Sequence, residues 1–349
     1  MILSLHYLRG IAALIVVMYH CRFLLNGVYD QPEIGNILFS KGSLGVDIFF
    51  MISGFIIAAS TEKKQTIKTF ALRRIFRVIP VYWVCLAAVV LIMHNFPSGQ
   101  VLRSMLLINL DYGKSAPTFG YSVIFTAWTL SYEIVFYFMF MISMFISHKH
   151  RVMVCSFLVA SLMVSFQYFN YGKLFLISEY DGTGCGLQYY FMSTLSSPLM
   201  LEFIFGMVLY SIYKANKEHL KINISIFNTL LIVSAAYVFM DYSGIERHGF
   251  EGMGVYAAII FSSFLLCRIE GEPKSKVMMW LGDVSYSLYL SHAVLLTLLP
   301  MLKFRYGYDL NNGVLTFLAI TSLSLLIAEF LHRYIEIPLI NIGRKLSRY

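Results

Sequence analysis

Arg9 and His20 lie in the first apolar segment of this chain, LSLHYLRGIAALIVVMYHCRFLL, eleven positions apart. Eleven steps of about 100° on an α-helix return to nearly the same face, with a rise of roughly 16 Å. One stripe therefore carries a fixed cation towards one end and a titratable base towards the other. Ionisable groups inside a membrane are costly and usually face a functional cavity. An imidazole, with an ordinary pKa near about 6.5, can take a proton from a hydroxyl that attacks a carbonyl, particularly when a carboxylate orients the ring. Further acids and a second histidine occur in apolar segments: Asp47, Glu133, Glu202 and His292. Counted along their helices from the membrane faces, His20, Asp47, Glu133 and His292 share the outer half of the bilayer. Either Asp47 or Glu133 could orient His20. The plainer reading is that these groups only pair with one another to hold helices together, and for Glu202 and His292 the two readings stand level.

A second constellation is RRIFRVIPVYW, with Arg73, Arg74 and Arg77 just before the third apolar segment. Arg74 and Arg77 are three apart and share a helical face, and guanidinium forks match phosphate oxygens. Positive anchoring at a membrane face explains the same residues. The third run, GVDIFFMISGF, puts Ser53 and Gly54 in mid-segment, where small residues allow close helix packing.

The elements that must position these residues follow from composition. Of 349 residues, 58% are hydrophobic and only 13% charged, and the mean hydropathy is +0.70. Soluble domains rarely exceed about half apolar, so the chain is expected to be an all-α polytopic membrane protein. Ten segments approach the roughly 20 apolar residues of a spanning helix: 5–24, 43–60, 78–94, 122–146, 152–169, 194–213, 225–241, 254–269, 277–301 and 313–334. The loops TEKKQTIKTFALRRIFR, HKHR, KANKEHLK and RIEGEPKSK and the tail INIGRKLSRY are basic, whereas the alternate loops mix acids with few bases. The positive-inside rule then puts both termini in the cytoplasm. The net charge of +8 sits between apolar segments, which argues against nucleic-acid binding. The first segment lacks a basic start and a cleavage site, and reads as a retained helix. Cys21, Cys85, Cys155, Cys185 and Cys267 form no CxxC pair, so neither a disulfide framework nor a metal site is expected. The Gly-rich external loop 170–193 could cover an acceptor site or be passive.

These runs together resemble the acyltransferase-3 family of integral membrane acyltransferases. The matching pieces are LRGIAALIVVMYH, GVDIFFMISGF, RRIFRVIPVYW, AWTLSYEIVFYF, LEFIFGMVLY and GDVSYSLYLSH, followed by IEIP with Glu336 and Pro338. They span nearly the whole chain in order. The resemblance implies one domain over residues 1–340 with ten helices, a short basic cytoplasmic tail over 341–349, and a place in a bacterial cytoplasmic (inner) membrane. It implies transfer of an acyl group, most often acetyl, from cytoplasmic acyl-CoA to a hydroxyl of an envelope or secreted glycan, free or lipid-linked. Acyl-CoA is then a co-substrate, and no permanently bound cofactor is expected. The resemblance gives His20 the role of general base with Arg9 on the same stripe and makes Glu133 a candidate lining residue, and depth in the membrane adds Asp47 to that catalytic set. It assigns Arg74, Arg77 and Arg73, with Ser53 and Gly54, to acyl-CoA. Trp128, Tyr132, Tyr137, Ser285, Tyr289 and His292 follow as further lining. Some relatives carry an appended hydrolase-like domain; this chain runs to Tyr349 soon after its last apolar segment, so the membrane core or a separate partner is expected to serve the acceptor.

Two other classes compete. In a proton-coupled transporter of a lipid-linked sugar or small acid, His20, Asp47 and Glu133 would form a proton relay; the arginine block and the lack of an evident inverted repeat argue against it. A non-catalytic scaffold would have no need of a titratable group at position 20.

Overall fold

The structure, a computed structural model, describes residues 2–182, 184, 189–216, 247–266, 274–306 and 312–347, the last six residues of the 274–306 stretch by backbone alone. The described residues are helical or irregular, with no strand among them. Helix α1 (Leu3–Cys21) ends in a 3-10 turn, and a short α2 (Ile34–Phe39) leads through a second such turn into α3 (Leu44–Ser60). Then come α4 (Ile67–Met93), the short α5 (Ser98–Met105), α6 (Trp128–Ile146), α7 (Arg151–Tyr171), α8 (Tyr189–Ser196) and α9 (Met200–Asn216). The chain closes with α10 (Met253–Leu266), α11 (Lys276–Tyr306), α12 (Val314–Leu331), a π turn over His332–Glu336 and α13 (Ile337–Leu346).

Among the described residues six helical stretches are long and apolar enough to cross a bilayer, and α8 with α9 makes a seventh if the pair, bent by 61°, is one span. The bend falls where Pro198 sits, since proline cannot donate the next helical hydrogen bond and forces its predecessor out of the α region. Segment 225–241 of the sequence reading lies outside the described residues. Two boundaries differ from that reading for local reasons. Helix α4 begins at Ile67, capped by the Thr66 hydroxyl accepting from Thr69 N–H at 3.1 Å. Nothing in IKTFALRRIFR breaks a helix, so the arginines lie on α4 rather than ahead of it. At the other end of the chain, α13 carries helical structure into the expected basic tail as far as Leu346.

Helix α3 is apolar all round and buried along most of its length, the pattern of a central helix. It packs against α1, α9 and α10. Two glycines permit the tightest of these contacts. A Cβ on Gly54 would lie 2.1 Å from the Phe203 carbonyl oxygen, and one on Gly206 2.0 Å from that of Met51. The α3 and α9 backbones therefore touch directly, as small residues allow in membrane helix pairs. Arg151 closes the far end of α3: its Nε donates to Thr61 Oγ1 at 2.7 Å and its Nη2 to the Ala58 carbonyl at 3.0 Å. Cys21, Cys85 and Cys155 are free and buried; Cys185 and Cys267 lie outside the described residues.

Candidate active site

Helices α1 and α11 run side by side and carry the histidine pair. His292 on α11 places its Nδ1 3.0 Å from the Leu288 carbonyl, and its Nε2 3.2 Å from His20 Nδ1. His20 Nδ1 also lies 3.0 Å from the Val16 carbonyl. A carbonyl can only accept, so both Nδ1 atoms carry hydrogen, and His292 Nε2 accepts from His20. The lone pair of His20 is thereby left on Nε2, which has no partner among the described residues. Phe125 packs edge-on against the His20 ring at 5.0 Å, and Tyr19 does so at 4.9 Å. The base is thus held by a backbone carbonyl and a second imidazole, with no carboxylate in contact among the described residues.

One helical stretch below, Arg9 donates to the Gly282 carbonyl on the same partner helix, while its Nε is buried without a partner. Arg9 faces a hollow of about 100 Å³, whose walls include Ser53 on α3, Arg74 and Arg77 on α4, Glu133 and Tyr137 on α6, and Ser285 and Tyr289 on α11. A second hollow of about 430 Å³ shares Arg9, Ile56 and Arg77 with the first and is bounded by Leu5, His6, Ala59 and Ser60. The first turn of α1 and the last turn of α3 meet there, so this hollow lies at the end of the bundle where the amino terminus sits. The two adjoin at these three shared residues, so that a passage could run from that end towards the bundle middle. Its inner limit is Tyr289, whose hydroxyl shares hydrogen bonds with Thr129 Oγ1 (2.9 Å) and the Thr126 carbonyl (3.0 Å). The Tyr289 ring packs edge-on against His292 at 5.8 Å. His20 therefore stands outside the lining, with the His292 ring between it and Tyr289.

The passage is cationic at its entry and mixed further in. Arg74 donates to Ser60 Oγ at 3.0 Å, stacks over Phe70 and Tyr137, and leaves its Nε unpartnered. Such buried, unspent guanidinium N–H groups suit an anion that the chain itself does not supply. Glu133 Oε1 accepts from Ser53 Oγ at 2.9 Å and from the Tyr137 hydroxyl. Buried Glu336, set inward by the π turn, accepts from Ser287 Oγ and pairs with His332, each at 2.8 Å.

Other residues singled out from the sequence lie elsewhere. Arg73 is exposed and turns towards Gln65 and Ser347. Gly54 is spent on the α9 contact. Tyr132 is buried with its hydroxyl on the Pro117 carbonyl at 3.2 Å. Asp47 is fully buried but meets His248, not His20: its Oδ2 lies 2.8 Å from His248 Nδ1, and its Oδ1 accepts from Gly249 N–H at 2.8 Å. Trp128 lies against the His248 ring at 5.6 Å, and Glu202 is buried beside Asp47. His248, Thr129 and Tyr286 were not visible to the sequence reading. Thr129 and Tyr286 sit inside motifs already quoted, but His248 comes from a polar loop with no periodicity.

The family model for the acyltransferase domain matches residues 2–333. The chain belongs to this acyltransferase family, and its apolar helices make it an integral membrane member. It is 26% identical to the exopolysaccharide production protein ExoZ of Rhizobium meliloti (strain 1021), over 88% of this chain and 92% of that one. It is 25% identical to the acyltransferase MdmB of Streptomyces mycarofaciens, over 98% of this chain and 92% of that one. No solved structure matches the chain significantly.

Proposed function

We propose that this protein transfers an acyl group, acetyl by preference, from cytoplasmic acyl-CoA to a hydroxyl of a cell-envelope or secreted polysaccharide, with His20 as general base. The observation that carries the reading is the pair of adjoining hollows with Arg9, Arg74 and Arg77 on their walls and the His20–His292 pair just past Tyr289. The basic loops favour ten spans with both termini and the wide mouth in the cytoplasm, in a bacterial inner membrane. Phosphates of the coenzyme then meet the arginines. The pantetheine arm, roughly 15–20 Å long, matches the rise of about 16 Å between Arg9 and His20, and presents the thioester below Tyr289. The relative named for exopolysaccharide production supports a glycan acceptor.

In the reaction, His20 Nε2 takes the proton of the acceptor hydroxyl as its oxygen attacks the thioester carbonyl. Collapse of the tetrahedral intermediate breaks the C–S bond, and the leaving thiolate recovers the proton from His20. The hydrogen bond from His20 Nδ1 to Val16 fixes the tautomer that this needs.

Purified protein in proteoliposomes, given acetyl-labelled acetyl-CoA and envelope glycan, tests the reading. Release of free CoA with label transfer to the glycan is expected for the wild type and is expected to fall at least about a hundredfold in His20→Ala. Wild type that turns over none of the acetyl, succinyl or other common thioesters, with glycan present, would overturn it.

A further inference from the structure

The second histidine cluster is built differently from the first. His248 enters from the loop before α10 and is gripped by a fully buried carboxylate, Asp47, at 2.8 Å. The same carboxylate holds the loop backbone through Gly249 N–H. Nδ1 of His248 is spent on Asp47, and its Nε2 meets no described partner, while the side chain keeps 16% of its surface open. His20 and His248 flank one short segment: Phe125 touches the first ring and Trp128 the second. One histidine is thus arranged to accept a proton and the other to donate a hydrogen bond. A carboxylate can only accept, so His248 Nδ1 carries hydrogen; Asp47 also holds the ring above its ordinary value against the pull of burial, and in the protonated ring Nε2 carries hydrogen as well.

We propose that His248, braced by Asp47, donates the hydrogen bond that stabilises the oxyanion formed at the thioester carbonyl when His20 deprotonates the acceptor hydroxyl. The inference rests on the acyl-transfer reading above. As the acceptor oxygen bonds to the carbonyl carbon, the carbonyl π pair moves onto its oxygen and is met by His248 Nε2–H. When the C–S bond breaks, that pair re-forms the carbonyl and the donor is released unchanged. Asp47 is a positioning residue, acting through His248. The charged and titratable groups around His248 are Asp47 on α3, Glu202 on α9, His20 on α1 and Glu179 in the loop after α7, with Arg247 and Glu251 on its own loop; Glu179 is engaged by Arg247 at 3.5 Å. α6 contributes only the uncharged face of Trp128.

The test compares wild type, His248→Ala, His248→Gln and Asp47→Asn in proteoliposomes with acetyl-CoA and glycan, across pH. Removal of one oxyanion donor costs about 10²–10³ in kcat elsewhere. His248→Ala is expected to lose about a hundredfold in kcat with the KM for acetyl-CoA unchanged, and His248→Gln, which keeps an N–H donor, to lose about tenfold. Because the raised imidazolium is the working form, wild-type kcat should fall as pH rises through its pKa. That basic limb should vanish in His248→Gln and move to lower pH in Asp47→Asn, changes that a merely structural role would not produce. A wild type active from acetyl-CoA, with variants that keep its kcat and basic limb, overturns this inference and leaves the acyl-transfer reading standing. Should His248→Ala misfold, the limb in His248→Gln decides. A wild type with no thioester turnover overturns both.

Discussion

At the scale of single residues, the two arginines of α4 that line the passage differ from the third only in where the helix turns them. Arg74 and Arg77 face the hollow, and Arg73, one position earlier, faces the solvent and Ser347. A charge-assisted hydrogen bond contributes about 1.5–3 kcal/mol, so losing one phosphate contact weakens binding by about tenfold to a hundredfold. Arg74→Ala and Arg77→Ala are therefore expected to raise the KM for acyl-CoA by that factor and to leave kcat within about threefold, whereas Arg73→Ala changes neither. Steady-state kinetics on the three variants checks this, and a response of Arg73→Ala equal to the others would contradict the placement. The arginine pair was legible in the sequence because three-residue spacing survives folding. His248 was not legible, because its meaning lies in a contact across 201 positions with Asp47, and no local pattern reports such a distance. The acid expected to orient His20 was likewise misread at this scale: both candidate carboxylates are engaged by other groups, and a carbonyl four residues back does the orienting.

Among the elements, α1 and α11 form the unit on which the proposed chemistry depends. Arg9 meets Gly282 and His20 meets His292, so a single helix pair fixes both ends of the stripe. The pair closes at Gly10, where an added Cβ would lie 2.7 Å from the Gly282 nitrogen and 2.8 Å from the Leu281 carbonyl carbon. Those atoms are backbone and cannot swing aside, so the helices must part. Overpacking of this kind costs about 1–3 kcal/mol. Gly10→Ala is expected to lower the midpoint of thermal unfolding in detergent and to reduce kcat by more than tenfold, since the histidines separate with the helices. An unfolding midpoint and a kcat both equal to wild type would show that the pair has room to spare. Apolar stretches near spanning length disclosed α1 in the sequence, and the motif ending at His292 disclosed much of α11. The bend at Pro198 and the early start of α4 depended on a proline and a threonine cap that a hydropathy reading averages away.

At the scale of the molecule, the proposed acyl transfer requires a donor that enters from one end only. Ile56 is the apolar residue common to both hollows, between the mouth at Arg9 and Arg77 and the interior. Nothing else on the wall reports passage so directly, because a side chain at the junction is covered by any molecule that threads through, whereas one at the mouth is covered by anything that merely docks there. An Ile56→Cys variant in a background without the five native cysteines should react with a membrane-impermeant thiol reagent in inside-out vesicles and be spared in right-side-out ones. Coenzyme A at saturating concentration should slow that reaction by more than tenfold, since the occupied fraction of sites is closed to the reagent. Adenosine 3′,5′-bisphosphate, which carries phosphates but no pantetheine arm, should leave the rate nearly unchanged. Equal protection by both ligands would place the whole coenzyme at the mouth and remove the threading path. Reaction from the opposite face alone would reverse the orientation, and with it the side from which the acyl donor must come.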